Sequence, residues 1–234
     1  MTSREQRLSR PDGRTIAWVE TGDVDGRPIL RLPGTPGSRL WFRTDQTPWL
    51  ERGLRMIVTE RPGFGASTRH LEGTILDHAD DLAAILDDLE IQSLPVVGVS
   101  GASPFVLALA ARHPERVQAA AIVVGAAPMD EGEADKLIGL NADAHRLAQA
   151  GDRAGLMRLL APVRKAIIAD PLASFRNVMD TAPPSDQAIM NDSGWQEMLT
   201  RGLSEALRPG VDGWVDESML LVEGWGEVLS LIHI

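Results

Sequence analysis

Along the first 125 residues, short apolar runs alternate with a helical periodicity, and Gly- and Pro-rich turns separate them. TIAWVE (15–20) follows the turn PDGR and reads as a strand entered through a hairpin. PILRLP (28–33) and RMIVTE (55–60) are further strands, each running into a Gly-rich loop. Ile75, Ala79, Leu82, Leu86 and Leu89 recur at spacings of four and three, which predicts a helix with one apolar face. Thr74 and Asp77 provide its N-cap. LPVVGV (94–99) and VQAAAIVV (117–124) are nearly all apolar, as expected of strands buried on both faces of a parallel sheet. A helix between them starts after Ser100 and closes near ARHPE, where Pro114 blocks extension. From Ala126 to Val222 strand-like runs vanish and short amphipathic helices take over. The pattern predicts an α/β fold with a mostly parallel sheet. Its expected division is a core over residues 1–125, a helical insertion over 126–222, and the start of a further core segment over 223–234.

Composition narrows the function. A net charge of -10 argues against nucleic acid and against anionic membrane surfaces, both of which need clustered Lys and Arg. The absence of Cys excludes disulfides and thiolate zinc sites. MTSREQRLSRPDGRT has no apolar centre and does not read as a signal peptide, and the most apolar run, Val117 to Met129, is too short to span a bilayer. The expectation is a cytoplasmic protein acting on a small molecule, with no cofactor.

The chemistry concentrates in GVSGAS (98–103), where an apolar strand runs through Gly-x-Ser-x-Ala directly into a helix. A serine is a weak nucleophile until it is positioned and deprotonated, and a sharp strand-to-helix turn is one way to position it. Such a turn needs small residues two before and two after the serine. Gly98 and Ala102 meet that need around Ser100, whereas Ser103 would have Phe105 at the second place. A helix-capping serine is the plainer alternative, and the strand–serine–helix context favours the nucleophile. GVSGAS lacks the G-x-G-x-x-G spacing and no P-loop Lys follows, so nucleotide binding is a weak alternative.

With PGTPGSR (33–39) and ERPGFGAS (60–67) upstream of GVSGASP (98–104), the chain resembles the α/β-hydrolase superfamily. It is closest to the branch with H-G-T-P-G-S-R, D-R-P-G-Y-G-x-S and G-V-S-G-G-G-P in that order. The resemblance implies Ser100 as nucleophile and the backbone N–H groups of Thr35 and Gly101 as the oxyanion hole. Arg61, Gly63 and Gly65 become turn architecture. The insertion is implied to cap Ser100, with Trp195, Trp214 and Met219 as residues that line a pocket or pack beneath it. Pro33 stands where the family has a His that braces the oxyanion loop, which puts that bracing in doubt. Glu60 for Asp and Ala102 for Gly are mild departures.

In this fold the acid and the His follow the serine, each after a later strand. The chain stops before either is expected, and its closing LSLIHI reads as translated sequencing adapter, so the expectation is a C-terminally truncated hydrolase, inactive alone. His70, His78, His113, His145 and His233 all have blander readings, and His233 would lie on a strand. Asp130 and the neighbouring Glu131 are substitute acids of low weight. With no strand beyond it, 117–124 would be an apolar edge prone to aggregation. The implied activity is hydrolysis of a small ester or related acyl substrate. Peptidase, C–C hydrolase and haloperoxidase-like chemistry stay open, Ser100 excludes an Asp nucleophile, and a non-catalytic binding protein on the same fold is the alternative.

Overall fold

The computed structural model describes residues 3–129, 131–173, 176, 182–223 and 225–232. Six strands form one sheet in the order β1-β2-β4-β3-β5-β6. They are β1 (Arg4–Ser9), β2 (Thr15–Gly22), β3 (Arg27–Leu32), β4 (Leu54–Thr59), β5 (Leu94–Val99) and β6 (Val117–Val123). β1 pairs with β2, and β2 with β4, antiparallel; the remaining pairs are parallel. This is the mostly parallel α/β sheet that the alternating pattern predicts.

Helices α1 (Thr47–Leu50), α2 (Ile75–Asp88) and α3 (Ser103–Arg112) connect the strands. α2 begins on a reciprocal capping box: the Thr74 hydroxyl accepts from the Asp77 N–H, and the Asp77 carboxylate accepts from the Thr74 N–H. Its stripe of Ile75, Ala79, Leu82 and Leu86 meets Leu30, Ile57, Val96, Phe105 and Leu109 in the main core. The fully buried Trp18 on β2 belongs to the same core.

After β6 the regular elements among the described residues are all helices: α4 (Glu131–Ala134), α5 (Gly139–Gln149), α6 (Arg153–Ala169), α7 (Pro184–Met190), α8 (Ser193–Ala206), α9 (Asp212–Glu223) and α10 (Trp225–Ile232). Leu156, Leu160, Leu203, Leu207, Trp214 and Val215 give this segment a core of its own, which Phe64 joins from the sheet side. Residues 225–232, where the sequence suggests at most the start of a strand, form α10 instead. Trp225 and Val228 are buried, and Val228 reaches the main core between α2 and α3. An apolar run alone does not decide so short a segment between strand and helix; the packing of Trp225 and Val228, three residues apart, selects the helix.

Two expectations about burial change. β5 alternates buried and half-buried positions rather than hiding both faces. β6 is largely exposed, with Ile122 at 40%, Val123 at 50% and the following Val124 at 79% exposure. The physical reason is position: β6 is the edge of the described sheet, paired on one side only, with β5. An uncharged apolar edge is a template for a second strand. This chain is therefore expected to elute from size exclusion as oligomers or aggregate, and Val123→Lys to raise the soluble monomer fraction several-fold. A wild-type chain that stays monomeric at high concentration would remove the argument.

Candidate active site

β5 ends at Val99 in extended backbone, and the next residue turns sharply. Ser100 has φ +52, a left-handed conformation rare for a residue with a Cβ. A single 3₁₀ turn (Ser100–Ala102) then leads into α3. Holding Ser100 there costs about 1–3 kcal/mol, and close packing enforces it. A Cβ added to Gly98 would lie 2.4 Å from Val106 Cγ2 and 3.4 Å from Ala102 Cβ. The small residues on either side of the serine are thus a steric requirement of this turn. The Ser100 carbonyl accepts from the Ala126 N–H at 3.1 Å, which ties the loop after β6 to the turn. Ser103 is buried, with its hydroxyl 3.0 Å from the Ser100 carbonyl and 2.6 Å from the Ala126 carbonyl, so it is spent on packing. Ser100 as a whole residue is exposed.

The loop after β3 closes on this turn. A Cβ on Gly34 would stand 3.3 Å from Ser100 Cβ, and one on Gly101 would meet Thr35 Oγ1 at 2.1 Å. Thr35 and Gly101 are therefore in direct contact beside Ser100. All three open onto a cavity of about 320 Å³. Its far walls come from α5, α6 and α9, through Leu140, Ala144, Leu160, Trp214 and Leu221 among others. Asn141, His145 and Ser218 add polar edges, and no Asp, Glu, Lys or Arg is among the described residues that line it. Of the three pocket candidates, Trp214 lines this cavity, Met219 packs in the core of the helical segment, and Trp195 is half-buried at the start of α8 away from it.

The other sequence candidates scatter. His70 and His78 border a separate space of about 20 Å³ with Arg61, Phe105 and Glu217. His113 caps α3 and bonds Asp80 Oδ1 at 2.7 Å. His145 shares the Ser100 cavity, with its Nε2 buried and unpartnered among the described residues. Asp130 and His233 lie outside the described residues, and Glu131 opens α4. No described residue hydrogen-bonds the Ser100 hydroxyl.

The sequence puts the bracing of the Pro33 loop in doubt; the structure supplies a brace from elsewhere. Arg61 follows β4 and is 2% exposed. Its Nη1 donates to the Pro33 carbonyl, and its Nη2 to the Gly34 carbonyl at 3.0 Å and to Thr35 Oγ1 at 3.2 Å. Its charge is met by Glu217 of α9 through two bonds, at 2.7 and 2.8 Å. Thr35 Oγ1 also donates to Glu217. Phe64 and Phe105 flank the guanidinium at 5.8 and 5.3 Å. The sequence reading makes Arg61 turn architecture and gives Glu217 no role. A signal for Glu217 exists: it is a carboxylate on the buried side of a helix whose neighbours Trp214, Val215 and Ser218 are buried too.

Beneath this brace lies a second buried pair. Glu60 accepts from the N–H groups of Arg39, Ala66 and Ser67 and pairs with the Arg39 guanidinium at 3.0 Å. Burial pushes the Glu60 carboxyl above its ordinary range against the pull of Arg39. Glu60 thus holds the end of the turn that carries Gly63 and Gly65, by accepting the amides of Ala66 and Ser67 that follow it.

The alpha/beta hydrolase fold family matches residues 27–149, slightly more than half of the chain, and the protein belongs to it. Among curated proteins, a bifunctional esterase/perhydrolase from Acinetobacter calcoaceticus is 32% identical over 122 residues, covering 52% of this chain and 44% of that protein. The hydrolase YcgS of Bacillus subtilis, uncharacterized, is 30% identical over 106 residues, 45% of this chain and 36% of its own length. The chain thus spans less than half the length of these relatives. Among solved structures, a carboxylesterase from Nitrososphaera gargenis superposes with a TM-score of 0.65 at 19% identity, over 97% of this chain and 75% of that one. At that identity the likeness concerns the fold alone.

Proposed function

We propose that the protein is a serine hydrolase of small neutral esters or related acyl substrates, with Ser100 as nucleophile and the helical segment as a cap over it. The observation that carries this reading is the strained, exposed Ser100 in contact with the Thr35–Gly101 pair at the mouth of a cavity whose described lining residues carry no carboxylate, ammonium or guanidinium. Ser100 Oγ attacks the acyl carbon and loses its proton to a base. The oxyanion forms between the Thr35 and Gly101 N–H groups, the alcohol leaves with a proton, and water releases the acid. The 320 Å³ cavity suits a short apolar acyl chain. The esterase activity named for the Acinetobacter relative supports the class of reaction.

A strained serine conformation that serves no chemistry is a cost without a return. One observation favours binding without catalysis, namely that no described residue hydrogen-bonds the Ser100 hydroxyl. A fluorophosphonate probe separates the two. On the wild-type protein, labelling that Ser100→Ala abolishes is the expected result. An unlabelled, folded protein establishes the binding reading instead.

A further inference from the structure

The peptide between Gly34 and Thr35 is trans, so its carbonyl and its N–H point in opposite directions from one plane. Any group that grips the Gly34 oxygen therefore also aims the Thr35 N–H. Arg61 does this, with a 3.0 Å bond to Gly34 O beside its bond to Pro33 O. Arg61 is itself held by Glu217, whose two oxygens take its Nε and Nη2, and one of which also takes the Thr35 hydroxyl. Arg61 and Glu217 are 2% and 4% exposed as side chains, so water does not compete for either group.

We infer that Glu217 is a positioning residue for the oxyanion hole: through Arg61 it fixes the direction of the Thr35 N–H, and so makes the helix that roofs the acyl cavity part of the catalytic geometry. This rests on Ser100 being the nucleophile. The helix is well placed for the role. Trp214, Ser218 and Leu221 of α9 line the cavity, while Glu217, one turn before Leu221, faces the loop. A cap that shifts away from its seat takes the Glu217 carboxylate with it, and the N–H loses its aim. The Pro33 position, where the resembling family keeps a His, is thus served by a side chain from another element.

The test compares Glu217→Gln, Glu217→Asp and Glu205→Gln with the wild-type protein. Glu205 of α8 pairs with Arg39 and does not touch the Gly34–Thr35 peptide, so it controls for loss of a sheet-to-cap ion pair. Concentrations are counted by fluorophosphonate titration of Ser100. For a short-chain nitrophenyl ester, Glu217→Gln is expected to lower kcat per titrated site roughly 10- to 100-fold, with KM changed less than about threefold. Glu217→Asp should recover part of kcat, and Glu205→Gln should leave it within about twofold. Deuterium exchange, which needs no activity, should rise over residues 33–39 in Glu217→Gln and stay unchanged in α2. An unchanged kcat per site, equal losses in Glu217→Gln and Glu205→Gln, or unchanged exchange over 33–39 overturns the inference. Labelling that survives Ser100→Ala sinks the nucleophile reading instead.

Discussion

Arg61→Met is expected to be the most destabilising single substitution in the core, by about 3–5 kcal/mol. The side chain is buried, and five acceptors depend on it: both Glu217 oxygens, the carbonyls of Pro33 and Gly34, and the Thr35 hydroxyl. Methionine fills most of the volume and lies well against Phe64 and Phe105, so the loss is not one of packing. It leaves a carboxylate in a dry site with no cation, and two carbonyls without their donor. For a chain of this size the melting temperature should fall by roughly 10 °C. The double variant Arg61→Met/Glu217→Met removes both charges together and should recover more than half of the loss, since a buried pair replaced as a unit is often neutral. The exposed pair Arg43–Asp192, with side chains 43% and 42% exposed, sets the contrast. Arg43→Met should cost within about 0.5 kcal/mol. Thermal denaturation of the four proteins decides it, and an Arg61→Met cost under 1 kcal/mol would show that the pair is not what holds the loop.

The elements that the sequence shows well are those fixed by local rules. The hairpin at PDGR, the capping box at Thr74 and Asp77, and the turn at Ser100 each depend on residues within a few positions of one another. Gly98 and Ala102 are small because strand and helix touch there, and that contact is local as well. Glu217 is different. Its partner Arg61 is 156 residues away, and neither residue type announces the other. What the sequence does offer is a carboxylate among apolar neighbours on one helical side, which demands a partner without naming it. The exposure of β6 has the same origin. An all-apolar strand reads as buried, but burial depends on what lies beside it, and on its outer edge no described strand does. α10 shows a third limit, since eight apolar-rich residues fit either a strand or a helix until packing against α2 and α3 selects one.

His78→Leu should remove most of the acid sensitivity between pH 4.5 and 6.5. His78 sits in the first turn of α2, 3% exposed, edge-on to Phe105 at 5.1 Å. Both ring nitrogens are buried and lack a partner among the described residues. Burial, with the positive charges of Arg61 and Arg14 added, pushes its pKa down to about 3. The folded protein therefore keeps the ring neutral where the unfolded chain, with a pKa near 6.5, takes up a proton. Between those two values the unfolded state binds more protons, so stability falls as the pH falls, by up to about 1.4 kcal/mol per pH unit. Above pH 6.5 and below pH 3 this group contributes no slope. Carboxylates act in other windows or with the other sign. Asp80, held down first by its Arg112 bond, and Asp77, held down by Thr74 bonds that outweigh burial, lose their stabilisation only as the pH drops below the ordinary range near 3.8. Glu60, pushed up by burial, disfavours the fold as the pH rises past its unfolded value of 4.5, which opposes the His78 slope. The difference between wild type and variant cancels Glu60 and isolates His78. Leucine keeps the apolar contact with Phe105 and forfeits no described hydrogen bond. At pH 7 the two proteins should agree within about 1 kcal/mol, and at pH 5 the variant should be the more stable by about 2 kcal/mol relative to that baseline. Urea titrations at both pH values measure this directly. Equal slopes would mean that the ring finds a proton acceptor in the small space it shares with His70, Asp216 and Glu217.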